Sequence, residues 1–296
     1  MNIVADSTHL KNWIYTKERL NEERLRKTGR LKYIISKVIN EEKCPLSQIL
    51  IVNNQSELDV VRYYVASIRT ICQNFSMSVF STAAQYLIRF FTKKSIYSHN
   101  PIQILYACLN LAMKVEEFHV HPAEFISKCK KHCSKEDLIK SEMALLTLLK
   151  FNLRVISPYD SIESLIAIDR KGSTLMEQQC QEIRVKAYQF VDKAFLSDAF
   201  LLYSPNKIAY AGYSLVFPET SYKPNERILS DAGEIREMVS TSKLKDKARI
   251  KDILQNVKKF VCSHPKFLEA VGDEVTLKAL KRKSENKETP KRMKLE

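Results

Sequence analysis

The chain has 296 residues, 45% of them hydrophobic, and carries 48 Lys/Arg against 34 Asp/Glu for a formal net charge of +14. That is enough apolar material for two cores of ordinary domain size, and it argues against a disordered chain. Five glycines in the whole sequence exclude Rossmann sheets, phosphate loops and hairpin-rich β folds, which need glycine at special backbone positions.

The expected elements are all helical. Residues 7–27 read as an amphipathic helix, with Leu10, Trp13, Ile14, Leu20 and Leu25 among many charges and Ser7 or Thr8 as its cap; Tyr33–Ile39 either extends it or begins a linker. From Ile51 the pattern sharpens: Leu58, Val61, Val65, Ile68, Cys72 and Phe75 step by three and four, as on a helix with one buried stripe. Met77–Thr92 repeats the pattern, with Val79, Ala83, Tyr86, Leu87 and Phe90 facing inward. Pro101 then opens a helix at the first turn, where its missing N–H costs nothing. That helix, to Val115, is apolar almost all round, so other helices surround it. Counted from the helix after Ile51, Pro122 opens the fourth helix of this set, and Ser134 caps the fifth, running to Leu149. Ser157-Pro158 starts a second set, whose central helix begins at Pro205. Phe217-Pro218-Glu219 and Tyr222-Lys223-Pro224 read as loop, helix returns near Asp246–Phe260, and after Gly272 a last amphipathic helix gives way to a charged tail.

The two sets are copies of one another. Shifted by 104 residues, Ala83, Phe91, Pro101, Ile104, Tyr106 and Ala107 fall on Ala187, Phe195, Pro205, Ile208, Tyr210 and Ala211. Matches at helix-compatible spacings point to a tandem repeat of one all-α module. The expected organisation is an N-terminal helix and linker (1–50), a first module (51–156), a second module (157–265), and a C-terminal helix with a basic tail (266–296).

Seven widely spaced cysteines, no basic-then-apolar start and no apolar run long enough to span a bilayer suggest a soluble, reduced, intracellular protein. The positive charge gathers at the ends: residues 1–45 hold ten Lys/Arg against six Asp/Glu, and residues 278–296 eight against three. A nucleic-acid reader concentrates charge on one face, so direct nucleic-acid binding is not expected. Cys129, His132 and Cys133, with His119 and His121 nearby, resemble a zinc set, but no second ligand pair completes it and four lysines interleave; no metal or other cofactor is expected. No nucleophile-elbow, zincin or phosphate-loop motif occurs.

Glu142 stands out on physical grounds. It shares a stripe with Leu138, Leu145 and Leu149, and a carboxylate inside an apolar arc needs a partner. Lys114, ending the central helix of the first module, is the candidate, although it also shares a face with Gln103 and Asn110 and so could be solvated surface.

The motifs around these residues resemble those of the cyclins. Lys114-Val115-Glu116-Glu117-Phe118 is similar to the cyclin-box motif with its Lys and paired acids, and Glu142 stands where that family has a signature Glu. Asn152-Leu153-Arg154-Val155-Ile156-Ser157-Pro158-Tyr159 and Leu196-Ser197-Asp198-Ala199-Phe200-Leu201-Leu202-Tyr203-Ser204-Pro205 resemble segments of the cyclin H group in particular. Glu116, where that group favours Asp, and the tail depart from it. The resemblance implies two tandem five-helix cyclin boxes and a non-catalytic regulatory subunit. Such a subunit binds and activates a cyclin-dependent kinase by fixing its helix αC. It further implies a nuclear place in the CDK-activating kinase and TFIIH, with a third assembly subunit, in cell cycle and RNA polymerase II transcription. Lys114, Glu142, Leu111, Val115, Leu146 and Phe151 would meet the kinase; the second module, with Pro218 opposite Lys114, would not clasp it. A cyclin C-like transcriptional cyclin and a TFIIB-like DNA-binding factor are the alternatives. In the tail, Lys281, Arg282, Lys283, Lys291 and Arg292 have the form of a bipartite import signal.

Overall fold

A computed structural model describes residues 7–42, 54–118, 125, 133–172 and 175–271, and among them there is no strand. The N-terminal amphipathic stretch is two helices and not one: α1 (Thr8–Trp13) and α2 (Lys17–Glu42). Ser7 caps α1, its Oγ accepting the Leu10 N–H at 3.3 Å. The break at residues 14–16 lets Trp13 and Tyr15 both turn inward, and the Tyr15 N–H donates to the Leu201 carbonyl at 2.7 Å. Tyr33–Ile39 belongs to α2, whose buried stripe is Leu20, Leu31, Ile35, Val38 and Ile39; Leu25, expected to face inward, is exposed.

The first repeat comprises α3 (Asn54–Ile71), α4 (Met77–Lys93), α5 (Pro101–Val115) and α6 (Lys135–Leu149). As its composition requires, α5 is packed on several sides, by α3, α4 and α6. Its start is fixed twice over, by Pro101 in the first turn and by Asn100, whose side chain accepts the Ile102 N–H. The helix expected from Pro122 lies outside the described residues except for Phe125, which is buried with its ring 6.4 Å from that of Tyr106.

The second repeat comprises α7 (Pro158–Gly172), α8 (Glu177–Ala194), the single turn α9 (Ala199–Leu202), the central α10 (Pro205–Val216) and α11 (Glu226–Thr241). Helices α7, α8 and α11 pack around α10. Helix α11 is not among the elements expected from the sequence. Its apolar positions Ile228, Ala232, Ile235 and Val239 do step by three and four, and Asn225 caps it, but the preceding proline-rich loop obscured the start. Asp169 ties that loop down: it accepts hydrogen bonds from the Tyr213 hydroxyl at 2.7 Å and the Ser221 N–H at 2.5 Å. Burial works against the Asp169 carboxylate, and these bonds outweigh it and hold the pKa below the usual range.

Two further helices, α12 (Lys247–Ser263) and α13 (Pro265–Val271), close the described chain. The sequence pattern places all of 157–265 in the second module; in the structure α12 packs against α3 of the first repeat and α13 against α2. Phe260 and Phe267 set their rings edge-on to Tyr97, at 5.6 and 6.3 Å. Periodicity identifies which face of α12 is apolar; it carries no information on which repeat that face meets. The repeats join through Phe80, whose ring lies 5.0 Å from Phe195, and through Arg69, whose Nε donates to Asp192 at 2.9 Å.

Candidate partner-binding site

Helices α5 and α6 lie side by side, and the pair singled out in the sequence meets across them. Lys114 Nζ donates to Glu142 Oε1 at 2.5 Å. The second carboxylate oxygen, Oε2, accepts from Asn110 Nδ2 at 2.6 Å. Asn110 and Lys114 are one helical turn apart on α5, so both oxygens of Glu142 are held from one helix. Asn110 is not among the site residues expected from the sequence: its shared face with Lys114 is legible there, but local spacing does not show that Glu142 reaches both. The two ends of the ion pair differ in environment: the Lys114 side chain is 57% exposed and that of Glu142 only 14%. Lys114 thus keeps donor capacity facing outward, while Glu142 is fixed in position.

Around this pair lies apolar surface. On α6, Ile139, Met143 and Leu146 recur at helical spacing; Ile139 and Met143 are exposed and Leu146 is half-buried. The helix stops at Lys150, which adopts left-handed backbone (φ 50°), followed by Phe151 (φ 56°). Two consecutive non-glycine residues in that region are uncommon, and the turn presents the Phe151 ring to solvent, 68% exposed. Val115 is half-buried beside the pair. Leu111 is a core residue, buried under α5, so it supports the surface from behind. Just beyond, Glu116 accepts a 2.6 Å hydrogen bond from the Thr82 hydroxyl, and Phe118 packs on Phe75 with ring centroids 5.1 Å apart. These contacts fix the end of α5 and hence the position of Lys114.

A fixed carboxylate, an outward ammonium and a rim of exposed apolar side chains have the character of a protein-binding surface. Among the described residues, no group of three or more His, Cys, Asp or Glu is placed to hold a metal ion. Of the zinc set only Cys133, which is buried, is described; His119, His121, Cys129 and His132 lie outside the described residues, as do Lys281, Arg282, Lys283, Lys291 and Arg292. Among the described residues no helix is long and apolar enough to cross a membrane.

Comparison with known proteins bears on the same helices. Residues 32–154 match the family model "Cyclin, N-terminal domain". Cyclin-H of Xenopus laevis is 30% identical over 215 residues, covering 69% of this chain and 65% of that protein. The chain spans less than two thirds of the length of that relative and of the next two, Cyclin-H1-1 of Arabidopsis thaliana (45%) and Cyclin CCL1 of Saccharomyces cerevisiae (57%). Among solved structures, a chain of the CAK complex from Chaetomium thermophilum bound to ATP-gamma-S superposes with a TM-score of 0.75 at 17% identity, covering 98% of this chain and 96% of that one. A chain of the yeast TFIIK (Kin28/Ccl1/Tfb3) complex superposes with a TM-score of 0.64 at 23% identity, covering 79% and 99%.

Proposed function

This chain belongs to the cyclin family, of the cyclin H-like kind, and on that premise we propose that it is a regulatory subunit that binds and activates a cyclin-dependent kinase of the CDK-activating type. The observation that carries this reading is the α5–α6 surface: Glu142 held by both Asn110 and Lys114, beside the exposed Ile139, Met143 and Phe151. In this reading the apolar residues pack on the mobile helix αC of the kinase. Lys114 and Glu142 hydrogen-bond to kinase backbone at its edge. Holding αC inward completes the Lys–Glu ion pair that positions the ATP phosphates, so the cyclin acts by shifting a conformational equilibrium and performs no chemistry itself. The subunit would work in the nucleus with a third assembly subunit, as part of TFIIH.

The test is reconstitution with a panel of cyclin-dependent kinases, assayed on a kinase activation-loop substrate and on a polymerase tail peptide. Met143→Glu is the informative variant, because Met143 is exposed and its replacement leaves the core alone. We expect it to weaken kinase binding by at least about 2 kcal/mol, roughly 30-fold, as for a central interface residue, with helix content unchanged. Glu142→Ala should lower activation too. Activity on the tail peptide alone would favour a cyclin C-like role. Unchanged binding by Met143→Glu would remove α6 from the interface.

A further inference from the structure

The outer face of α2 has no role in the kinase reading, and we propose that it docks an acidic amphipathic helix of a partner protein. Leu25, Gly29 and Tyr33 recur at four-residue steps and so share one face of α2. Leu25 is 67% and Tyr33 71% exposed. Between them, a side chain added at Gly29 would meet nothing within 4 Å. Glycine is the poorest helix former after proline, yet here it stands mid-helix and leaves an open notch between two exposed apolar side chains. Arg26, Arg30 and Lys37 lie along one edge of this notch and Lys32 on the other, all exposed.

The charge is one-sided. Residues 24–40 contain six Lys/Arg and no Asp/Glu. The two that turn inward are neutralised, Arg24 by Asp198 and Lys27 by Glu57. Of the outward four, only Arg26 meets a carboxylate among the described residues, Glu23 of the same helix at 3.3 Å. A second basic run, eight Lys/Arg against two Asp over residues 243–266, forms α12 and its flanks. Helix α13 packs on α2, and α12 on the neighbouring α3. The two basic runs, from opposite ends of the sequence, are thus carried on helices linked through α3 and α13. Like charges gathered on neighbouring helices repel one another and raise the local potential, which favours an anionic partner.

Two kinds of anion suit such a surface, and the apolar residues decide between them. A nucleic-acid backbone would satisfy the arginines but leave Leu25 and Tyr33 uncovered. A helix that seats a large apolar side chain at Gly29, between Leu25 and Tyr33, covers both and brings its flanking carboxylates to Arg26, Arg30 and Lys37.

The test uses the full chain and a fluorescein-labelled peptide of about five helical turns, with leucines on one face and glutamates beside them, read by anisotropy. We expect saturable binding. Replacing Leu25 and Tyr33 together by alanine should weaken it at least about tenfold. Gly29→Leu should weaken it as much while leaving the thermal midpoint unchanged or higher, since it fills open space on a helix. Equal binding of a shuffled peptide or of polyglutamate would reduce the surface to unspecific charge and overturn the proposal. Displacement of the peptide by duplex DNA at lower concentration would make it a nucleic-acid face, and unchanged affinity in both variants would remove it from α2. Kinase activation by these variants should be unaltered, because α5 and α6 are untouched; a parallel loss would place α2 inside the kinase interface and also count against the proposal.

Discussion

His9 carries no charge inside the fold. It is buried on α1, and its Nδ1 accepts the Ile156 N–H at 3.0 Å, so the neutral ring holds its proton on Nε2. Burial, reinforced by the Arg89 charge, lowers its pKa to about 3. In the unfolded chain a histidine titrates near 6.5. The stability that neutral His9 contributes is therefore complete above about pH 6.5 and is lost as pH falls toward 3, by about 1.4 kcal/mol per unit, because the unfolded state takes up a proton that the folded state refuses. His9→Asn keeps an acceptor for Ile156 and removes the titration. Between pH 7 and 5 the native chain should lose about 2 kcal/mol more than this variant, measured from urea midpoints at the two pH values. Equal losses would mean that His9 titrates freely. Arg89 presents the same environment with the opposite outcome. Burial lowers its pKa to about 9, which leaves it charged at neutral pH, paired with Gln85 Oε1 at 3.0 Å and lying over the Trp13 ring at 5.1 Å. One aromatic side chain of α1 thus covers a buried cation of α4.

At the scale of elements, the two central helices answer the same packing problem differently. Cys108 of α5 and Gly212 of α10 occupy equivalent places at the 104-residue offset. A Cβ at Gly212 would lie 2.6 Å from Phe190 Cδ1 and 3.2 Å from its Cβ, so the obstruction reaches the stem of the ring and cannot swing away. Gly212→Ala gains up to about 1 kcal/mol of helix propensity but overpacks the α8–α10 contact at a cost of about 1–3 kcal/mol. A net destabilisation of about 1 kcal/mol is expected in urea titration, and adding Phe190→Leu should reverse part of it; additive losses would show that the contact is not the cause. Most individual helices were legible, because the core position of each is written in steps of three and four and the starts of α5, α7 and α10 are marked by proline. The Lys114–Glu142 pair was legible because a carboxylate inside an apolar stripe requires a partner. Asn110, the inward turn at residues 14–16 and the docking of α12 on α3 were not. Each depends on which helix arrives at a face, and local spacing is silent on that.

Across the whole molecule, the N-terminal segment bridges both repeats. Arg24 of α2 holds Asp198 through two hydrogen bonds of 2.8 and 2.7 Å. Asp198 directly precedes α9, and Arg62 of α3 approaches the same carboxylate at 4.0 Å. Next to it, Tyr15 binds the Leu201 backbone, and Lys17 reaches Glu234 of α11 at 2.7 Å. The Lys17 contact is exposed and contributes little. Asp198 is different: it is partly buried and faces two guanidinium groups, so removing it strands both. Asp198→Ala should cost about 2–3 kcal/mol, less than a fully buried pair because water still reaches the site. A double-mutant cycle with Arg24→Ala should recover at least about 1 kcal/mol of coupling. The chain has a single tryptophan, Trp13, buried beneath α4 at the start of this bridge. Its fluorescence reports whether the N-terminal segment is docked, while far-ultraviolet circular dichroism reports the helices as a whole. In the native chain the two unfolding curves should coincide, as for one cooperative unit. In Asp198→Ala the fluorescence transition should come at lower urea, because α1 and α2 lose their hold on the second repeat before either repeat melts. Coincident curves in the variant would instead mean that the packing of Phe80 on Phe195 and of α13 on α2 makes the molecule cooperative without the charged bridge.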